Sequence, residues 1–213
     1  MRKQFFKTGL FLPAIFVALL FMQGAPMANE RGNNAEIFVQ QLADDAVASL
    51  TDQDIPRKQR IDLFRDLFKA KFAYRSIGKF VLGRNWRKAS KEEQNEYLGL
   101  FEDLMVISYV DRFVKYTGAG LKVESSRIDN ENTVSVFSSI TREGAPKPVH
   151  IAWRVVSRND ITKIVDVVIE GASMSSTLRS DFSSMIRQKG GKVSGLIEEL
   201  RIKTAALKQE TAN

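Results

Sequence analysis

The segment from Ser90 to Tyr116 constrains the fold most, because it reads as one long and unusually apolar helix. Its start carries a capping box, in which Ser90 caps the helix and Glu93 stands three residues later. Gly118 and Gly120 follow Tyr116 and are typical of a helix end. At 1.5 Å per residue such a helix is roughly 40 Å long, enough to cross a small domain.

The apolar side chains of this helix occupy more than one face. One helical stripe holds Tyr97, Leu100, Phe101, Leu104 and Ile107. The stripe is widened by Leu98, Met105, Val106, Tyr109, Val110 and Phe113. We therefore expect the helix to contact apolar material on two sides. It is either a central core helix or one wall of an apolar cavity, and the pattern alone leaves both open.

The first 28 residues have the layout of a secretory signal peptide. Three basic residues precede an apolar run from Leu10 to Met22, and small residues follow up to Ala28. The run is short for a transmembrane helix. No cysteine follows it that could carry a lipid anchor. We predict a cleavable signal peptide over residues 1–28, with an uncleaved anchor as the alternative.

Composition excludes several classes of function. The chain has no cysteine, which excludes disulfides, thiol catalysis and thiolate metal sites. His150 is its only histidine, so a metal site built from histidines is excluded too. Three of the basic residues behind the net charge of +7 lie in the predicted signal peptide, which leaves +4 on the mature chain. That mild charge argues against a nucleic-acid partner and suits encounters with anionic lipid surfaces.

Helical patterns precede and follow a central stretch with the period of strands. Before the long helix we predict a disordered start over residues 29–34. Three helices are predicted to follow it, over 35–50, from 54 onward and over 74–81. Beyond Gly171, a helix capped by Ser175 or Ser176 is expected to end at Gly190. A last helix precedes a tail that we expect to be disordered from Thr204.

Between Gly120 and Gly171 the hydrophobic period changes to two. The first strand is predicted to begin at Leu121. Three more strands are predicted to cover residues 133–141, 149–156 and 161–170. Turn signals join consecutive strands, which therefore pair antiparallel. The strand 161–170 is almost wholly apolar, so we place it in the centre of the sheet. The predicted order is helices, then a curved antiparallel sheet of about four strands, then further helices. This order indicates an α+β fold with one domain.

Two carboxylates are candidates for chemistry. Asp166 lies within the apolar strand and Glu170 ends it. A buried carboxylate needs a partner, which Arg84 or Arg154 could supply. A structural ion pair is one interpretation, and a carboxylate pair of a small-ligand enzyme is the other.

Three blocks of sequence resemble a known family. They are Phe80–Trp86 with Ala89 and Ser90, then Val165–Met174, then Arg179–Phe182 continuing through Gly190 to Leu200. In order and spacing they are similar to the MlaC, or toluene-tolerance, family of periplasmic phospholipid-binding proteins. The resemblance runs from Ile37 to Lys203. Ala172 and Lys192 depart from the residues common in that family, where Val and Asp are usual.

The resemblance implies a periplasmic carrier rather than an enzyme, with no cofactor. It would hold phospholipid acyl chains in an apolar cavity between helices and sheet, and would shuttle lipid between the outer and inner membranes. The implied partners are phospholipid, an inner-membrane lipid-transport ABC complex and an outer-membrane lipoprotein complex. Since some relatives are associated with hopanoids, another apolar lipid is the alternative cargo.

The resemblance and the apolar patterns together name a set of candidate lipid-binding residues. All are apolar or aromatic and lie on the long helix, its neighbours or the predicted strands. They are Phe80, Val81, Phe101, Leu104, Met105, Tyr109, Phe113, Val136, Ile151, Trp153, Val155, Val168, Met174 and Phe182. The lipid-binding domain is expected to cover residues 29–203, followed by the tail 204–213.

Overall fold

A computed structural model describes residues 25–50, 54–114, 120–141, 144 and 147–209, without the side chains of 25–28 and 111–114. Its helices are α1 (Ala25–Leu50), α2 (Arg57–Lys71), α3 (Tyr74–Leu82), α4 (Lys91–Val114), α5 (Met174–Gln188) and α6 (Val193–Gln209). A 3₁₀ turn, Gly83–Arg87, joins α3 to α4. Its strands are β1 (Leu121–Asn130), β2 (Thr133–Ile140), β3 (Val149–Arg158), β4 (Ile161–Ile169) and β5 (Ala172–Ser173). The order confirms the predicted α+β class.

The long helix α4 begins with the predicted capping box. The backbone N–H of Glu93 donates to Ser90 Oγ at 3.2 Å, and the N–H of Ser90 donates to Glu93 Oε2 at 2.9 Å. Two donors that the first turn leaves unpaired are thereby satisfied reciprocally. The predicted end of the helix at Tyr116 lies outside the described residues.

The start of α1 differs from the prediction of disorder over 29–34. The helix already includes these residues because it lies across β1, where Gly32 and Ala35 are buried. Gly32 allows this close approach, since a Cβ there would stand 2.7 Å from Ser126 Oγ. The predicted signal peptide falls largely on residues 1–24, outside the described part of the chain.

The strands form one antiparallel sheet in the order β1-β2-β3-β4-β5. Our placement of 161–170 in the centre of the sheet is therefore wrong, because β4 is followed only by the two-residue β5. Its apolar composition has another cause, which is that the segment between α2 and α3 covers its free edge. Phe72 bridges to Ile164, and the N–H of Ala73 donates to Ile164 O at 2.9 Å.

The C-terminal helices also differ from prediction in their ends. Ser173, rather than Ser175 or Ser176, caps α5, since its side chain accepts from the N–H of Ser176 at 3.2 Å. Helix α6 continues past the predicted start of the tail at Thr204. It does so because Thr204 is buried and donates to Leu200 O at 2.8 Å.

The buried residues of the described ranges form three clusters, two of which include residues of α4. One lies between α4 and α3, α5 and α6, and includes Tyr97, Phe101 and Phe182. A second lies between α1 and the inner face of the sheet, and a third between α1, α2 and the C-terminal half of α4. The two-sided apolar pattern of α4 is explained by its position between the first and third clusters.

Candidate functional site

An apolar cavity of about 310 Å³ lies where the three clusters meet. The helices supply Val39, Leu42, Ala43, Ala46, Val47, Phe64, Leu67, Phe68, Ile77, Phe101, Met105, Tyr109, Met174, Ser175 and Leu178. The sheet and the segments beside it supply Phe72, Leu121, Ile140, Val149, Ile151, Trp153, Asp166, Val167 and Ile169. The cavity is therefore enclosed by helices on one side and by the inner face of the sheet on the other.

Almost every group on the cavity wall is apolar. The indole N–H of Trp153, which could present a polar donor, instead donates to Ser138 Oγ at 2.9 Å. Ser138 stands on β2 beside Trp153 on β3 and is itself buried. An apolar wall with few polar groups suits a hydrocarbon ligand, because hydrocarbon makes no hydrogen bonds.

Val47 marks the mouth of the cavity. It lines the cavity, yet 51% of its surface is exposed to solvent. Leu121, Ile140 and Val149 also line the cavity and are half-buried, at the start of β1, the end of β2 and the start of β3. A ligand could therefore extend from the apolar interior to water at this end.

Six of the predicted residues line the cavity. They are Phe101, Met105, Tyr109, Ile151, Trp153 and Met174. The structure brings them together from α4, β3 and α5, which are distant in sequence. Their role in binding a lipid stays a prediction.

The other candidates lie elsewhere. Val81, Leu104 and Phe182 belong to the core between α4 and the C-terminal helices. Val136 and Val155 pack against α1.

Val168 alternates with the inward-facing Val167 on β4, so it points away from the cavity. Phe80 lies outside the cavity and is 46% exposed. The side chain of Phe113 is outside the described part of the structure. Apolar character alone could not distinguish a cavity wall from a filled core.

The sequence analysis missed the contribution of α1 and α2. The cavity is lined by five residues of α1 and three of α2, namely Val39, Leu42, Ala43, Ala46, Val47, Phe64, Leu67 and Phe68. The signal was present in α1 as Ala43 and Ala46, which are small residues on an otherwise bulky apolar face. Small side chains opposite bulky ones leave space between packed elements.

Asp166 is the only carboxylate among the cavity-lining residues that the structure describes. Its Oδ1 accepts from Ser175, from the backbone N–H at 3.1 Å and the hydroxyl at 2.6 Å. Its Oδ2 accepts from the Ser173 hydroxyl at 2.6 Å and lies 3.5 Å from Arg154. Asp166 thus fastens the N-terminus of α5 to β4, as a structural carboxylate with its oxygens engaged.

Glu170 lies apart from this arrangement. It is exposed, and its Oε1 accepts from the backbone N–H of His150 at 2.6 Å. Across the described ranges, no group of three or more His, Asp or Glu side chains could hold a metal ion. The paired-carboxylate interpretation therefore gains no geometric support.

An ionic cluster joins three of the surrounding helices. Arg65 of α2 contacts Glu102 at 2.7 Å and Asp103 at 2.8 Å on α4, and Lys208 of α6 contacts Asp103 at 2.7 Å. Burial opposes ionisation of Asp103, but the hydrogen bonds and charges of Lys208 and Arg65 outweigh it and lower the pKa of this carboxyl. The cluster holds α4 in place behind the cavity.

No helix in the described part of the chain is both long and apolar enough to cross a bilayer.

Comparison with known proteins agrees with this architecture. A solved structure of a phospholipid-binding protein from Ralstonia solanacearum, in complex with a phospholipid, is similar with a TM-score of 0.70 and 22% sequence identity. The similarity covers 82% of this chain and 98% of that one. At this identity it shows a shared fold.

A curated relative extends the comparison by sequence. The intermembrane phospholipid transport system binding protein MlaC of Haemophilus influenzae is 21% identical over 116 residues, which is 53% of this chain and 54% of the relative. The match thus spans about half the length of that protein. The family model described as MlaC protein matches residues 40–202, which include α2 to α5, the C-terminal part of α1 and most of α6. The resemblance predicted from the three sequence blocks is confirmed, and the chain belongs to the MlaC protein family.

Proposed function

We propose that this chain binds a phospholipid by its acyl chains in the cavity between the helices and the sheet. The observation that carries the proposal is the cavity itself, which is apolar over nearly all of its wall and reaches solvent at Val47. Each acyl CH₂ gains about 0.8 kcal/mol on leaving water, so both chains of a lipid need shielding from solvent. The headgroup would lie at the mouth.

The proposed role is that of a carrier between membranes. The protein would move phospholipid between the outer and inner membranes, with an inner-membrane ABC complex and an outer-membrane lipoprotein complex as partners. Two findings support this role. The chain belongs to the MlaC family, and its Haemophilus relative is named for intermembrane phospholipid transport.

Binding without catalysis is the proposed activity. Asp166 is the carboxylate in the wall, and its oxygens already accept from Ser173 and Ser175 and face Arg154. A general acid or base must instead be free to exchange a proton with a substrate. The wall offers apolar contact, which retains a lipid without changing it.

Solvent extraction of the purified protein tests the cargo. We expect diacyl phospholipid at about one molecule per chain, identified by lipid mass spectrometry and phosphate analysis. Recovery of a hopanoid or other phosphate-free lipid would contradict phospholipid as the cargo but would still support the carrier role. Protein free of lipid after purification without detergent would contradict the proposal.

The proposed localisation is the periplasm, reached by cleavage of the signal peptide near Ala28. Sequencing the amino terminus of the protein from a periplasmic extract is the test, and we expect a start close to Asn29. Recovery of only the intact chain, in the membrane fraction, would show that the segment is an anchor.

A further inference from the structure

The stretch from Leu67 to Lys91 is basic throughout. It contains eight Lys and Arg residues and neither Asp nor Glu. Two of the eight are neutralised by salt bridges, Lys69 with Glu102 at 3.0 Å and Lys71 with Asp45 at 2.9 Å. The other six lie in the continuous segment that runs from α3 through the 3₁₀ turn to the start of α4.

These remaining charges lie on an exposed surface. Within the described ranges, Arg75, Lys79, Arg84, Arg87 and Lys88 are exposed and form no salt bridge. Two carboxylates follow at the start of α4, where Glu92 and Glu93 accept hydrogen bonds from Ser90. The positive field of this surface is thus weakly compensated.

An exposed aromatic residue, Phe80, lies in the same segment as these charges. Phe80 is 46% exposed, and the guanidinium of Arg179 from α5 lies over its ring, 4.8 Å from the centroid. The same guanidinium is held against Gly83, whose φ of +58° suits glycine and where a Cβ would stand 3.1 Å from Arg179. Arg179 is therefore fixed beside Phe80 and adds a charge to the surface.

A thin wall separates this surface from the apolar cavity. A smaller cavity of about 250 Å³ lies beside Phe80 and is also lined by Arg154 and Ser176. Ile77, Asp166 and Ser175 line both this space and the larger cavity. Contact made through Phe80 would thus take place directly behind the wall of the proposed lipid site.

We propose that this basic surface, formed by Arg75, Lys79, Arg84, Arg87, Lys88 and Arg179 around Phe80, docks the protein on an anionic lipid bilayer. Charge complementarity identifies the occupant, because clustered Lys and Arg attract anionic headgroups. An exposed aromatic ring among them can insert at the level of the headgroups. The inference extends the proposed function by naming the surface that meets the membrane, and its test does not depend on the cargo.

Vesicle flotation with the mature protein tests the docking. We compare vesicles of phosphatidylcholine alone with vesicles that also contain phosphatidylglycerol, at low and high salt. Binding is expected only to the anionic vesicles, and it should weaken at high salt because screening shortens the range of the charges. Absence of binding to anionic vesicles at low salt would overturn the proposal and assign the surface to another partner, such as an acidic protein.

A charge-matched pair of variants locates the contact. Arg84→Glu with Lys88→Glu should weaken binding to anionic vesicles by roughly 25-fold or more, since each basic residue contributes about fivefold near such a surface. The control, Lys58→Glu with Arg158→Glu, makes the same change of net charge at exposed positions on α2 and β3, and should bind nearly as well as wild type. Equal losses in both variants would show that only net charge matters and would contradict the proposal.

Phe80→Ser separates insertion from charge. This variant should bind anionic vesicles more weakly than wild type at moderate salt, although its net charge is unchanged. Binding equal to that of wild type would show that the aromatic ring does not take part in the contact. Lipid extracted from the same samples keeps the two proposals distinguishable. Wild-type protein that retains cargo but does not bind anionic vesicles would contradict the docking surface alone, whereas wild-type protein that binds the vesicles but carries no cargo would contradict the carrier.

Discussion

The indole N–H of Trp153 donates a hydrogen bond to Ser138 Oγ at 2.9 Å across the β2–β3 pair. Both residues are buried, and Trp153 lines the cavity. The bond lets the largest side chain of the sheet face an apolar space without presenting an unpaired donor to it.

Removal of the hydroxyl in Ser138→Ala should lower the free energy of unfolding by about 1–3 kcal/mol, because the indole N–H is left buried and unpaired. Trp153→Phe removes the donor as well, so the double variant should lose less stability than the two single variants together. Urea denaturation of all four proteins measures the coupling. Strict additivity would show that the bond makes no contribution.

Asp166 should contribute to stability through α5. Asp166→Asn keeps the shape but removes the charge that accepts from Ser173 and Ser175, so we expect a loss of about 1.5–3 kcal/mol. Asp181→Asn is the matched control, since Asp181 is exposed on the same helix. Urea unfolding with equal, small losses in both variants would contradict the anchoring role.

The lowered pKa of Asp103 predicts a specific dependence of the free energy of unfolding on pH. Burial alone would raise the pKa of this carboxyl, but the hydrogen bonds and charges of Lys208 and Arg65 together outweigh burial and hold the pKa below the ordinary value of 3.8. The unfolded state therefore binds a proton at this carboxyl more readily than the folded state does. The resulting contribution of Asp103 to the free energy of unfolding is complete above about pH 5 and is lost as the pH falls through the folded pKa.

In Asp103→Asn the free energy of unfolding should fall less steeply between about pH 5 and pH 2 than in wild type. Asp62→Asn, an exposed change on α2, should keep the wild-type slope. Denaturation at a series of pH values measures the slopes, and the wild-type slope in Asp103→Asn would contradict the assignment.

The mouth of the cavity can be probed at Val47. Val47→Glu places a carboxylate at an exposed position on the cavity wall, where water can solvate it. Retained lipid should fall several-fold, while the thermal midpoint should change little. Ala48→Glu adds the same charge on the exposed side of α1 and should retain lipid. Equal retention in both variants would place the mouth elsewhere.

Local signals in the sequence predicted the elements, whereas the cavity depended on how those elements pack. The capping box of Ser90 and Glu93 is a local pattern, and it marked the start of α4 correctly. Whether Phe101 or Leu104, three residues apart on one helix, faces a cavity or a filled core depends on neighbours distant in the chain.

The strand Ile161–Ile169 shows the same limit for the sheet. Its apolar run could not reveal that the chain around Phe72 and Ala73 covers its edge, so it read as a central strand. Val155 read as a cavity residue because it alternates in phase with Trp153, but α1 covers that end of the strand.

Native mass spectrometry of the purified protein tests the central claim, which is that the cavity holds one phospholipid. Ala43→Trp would put an indole into the cavity from α1, whereas Ala48→Trp places the same side chain on the exposed face of that helix. We predict a mass increment of one phospholipid on wild type and Ala48→Trp, and its loss from a folded Ala43→Trp. Wild-type protein that is folded and carries no lipid mass, or an Ala43→Trp variant that keeps it in full, would contradict the claim.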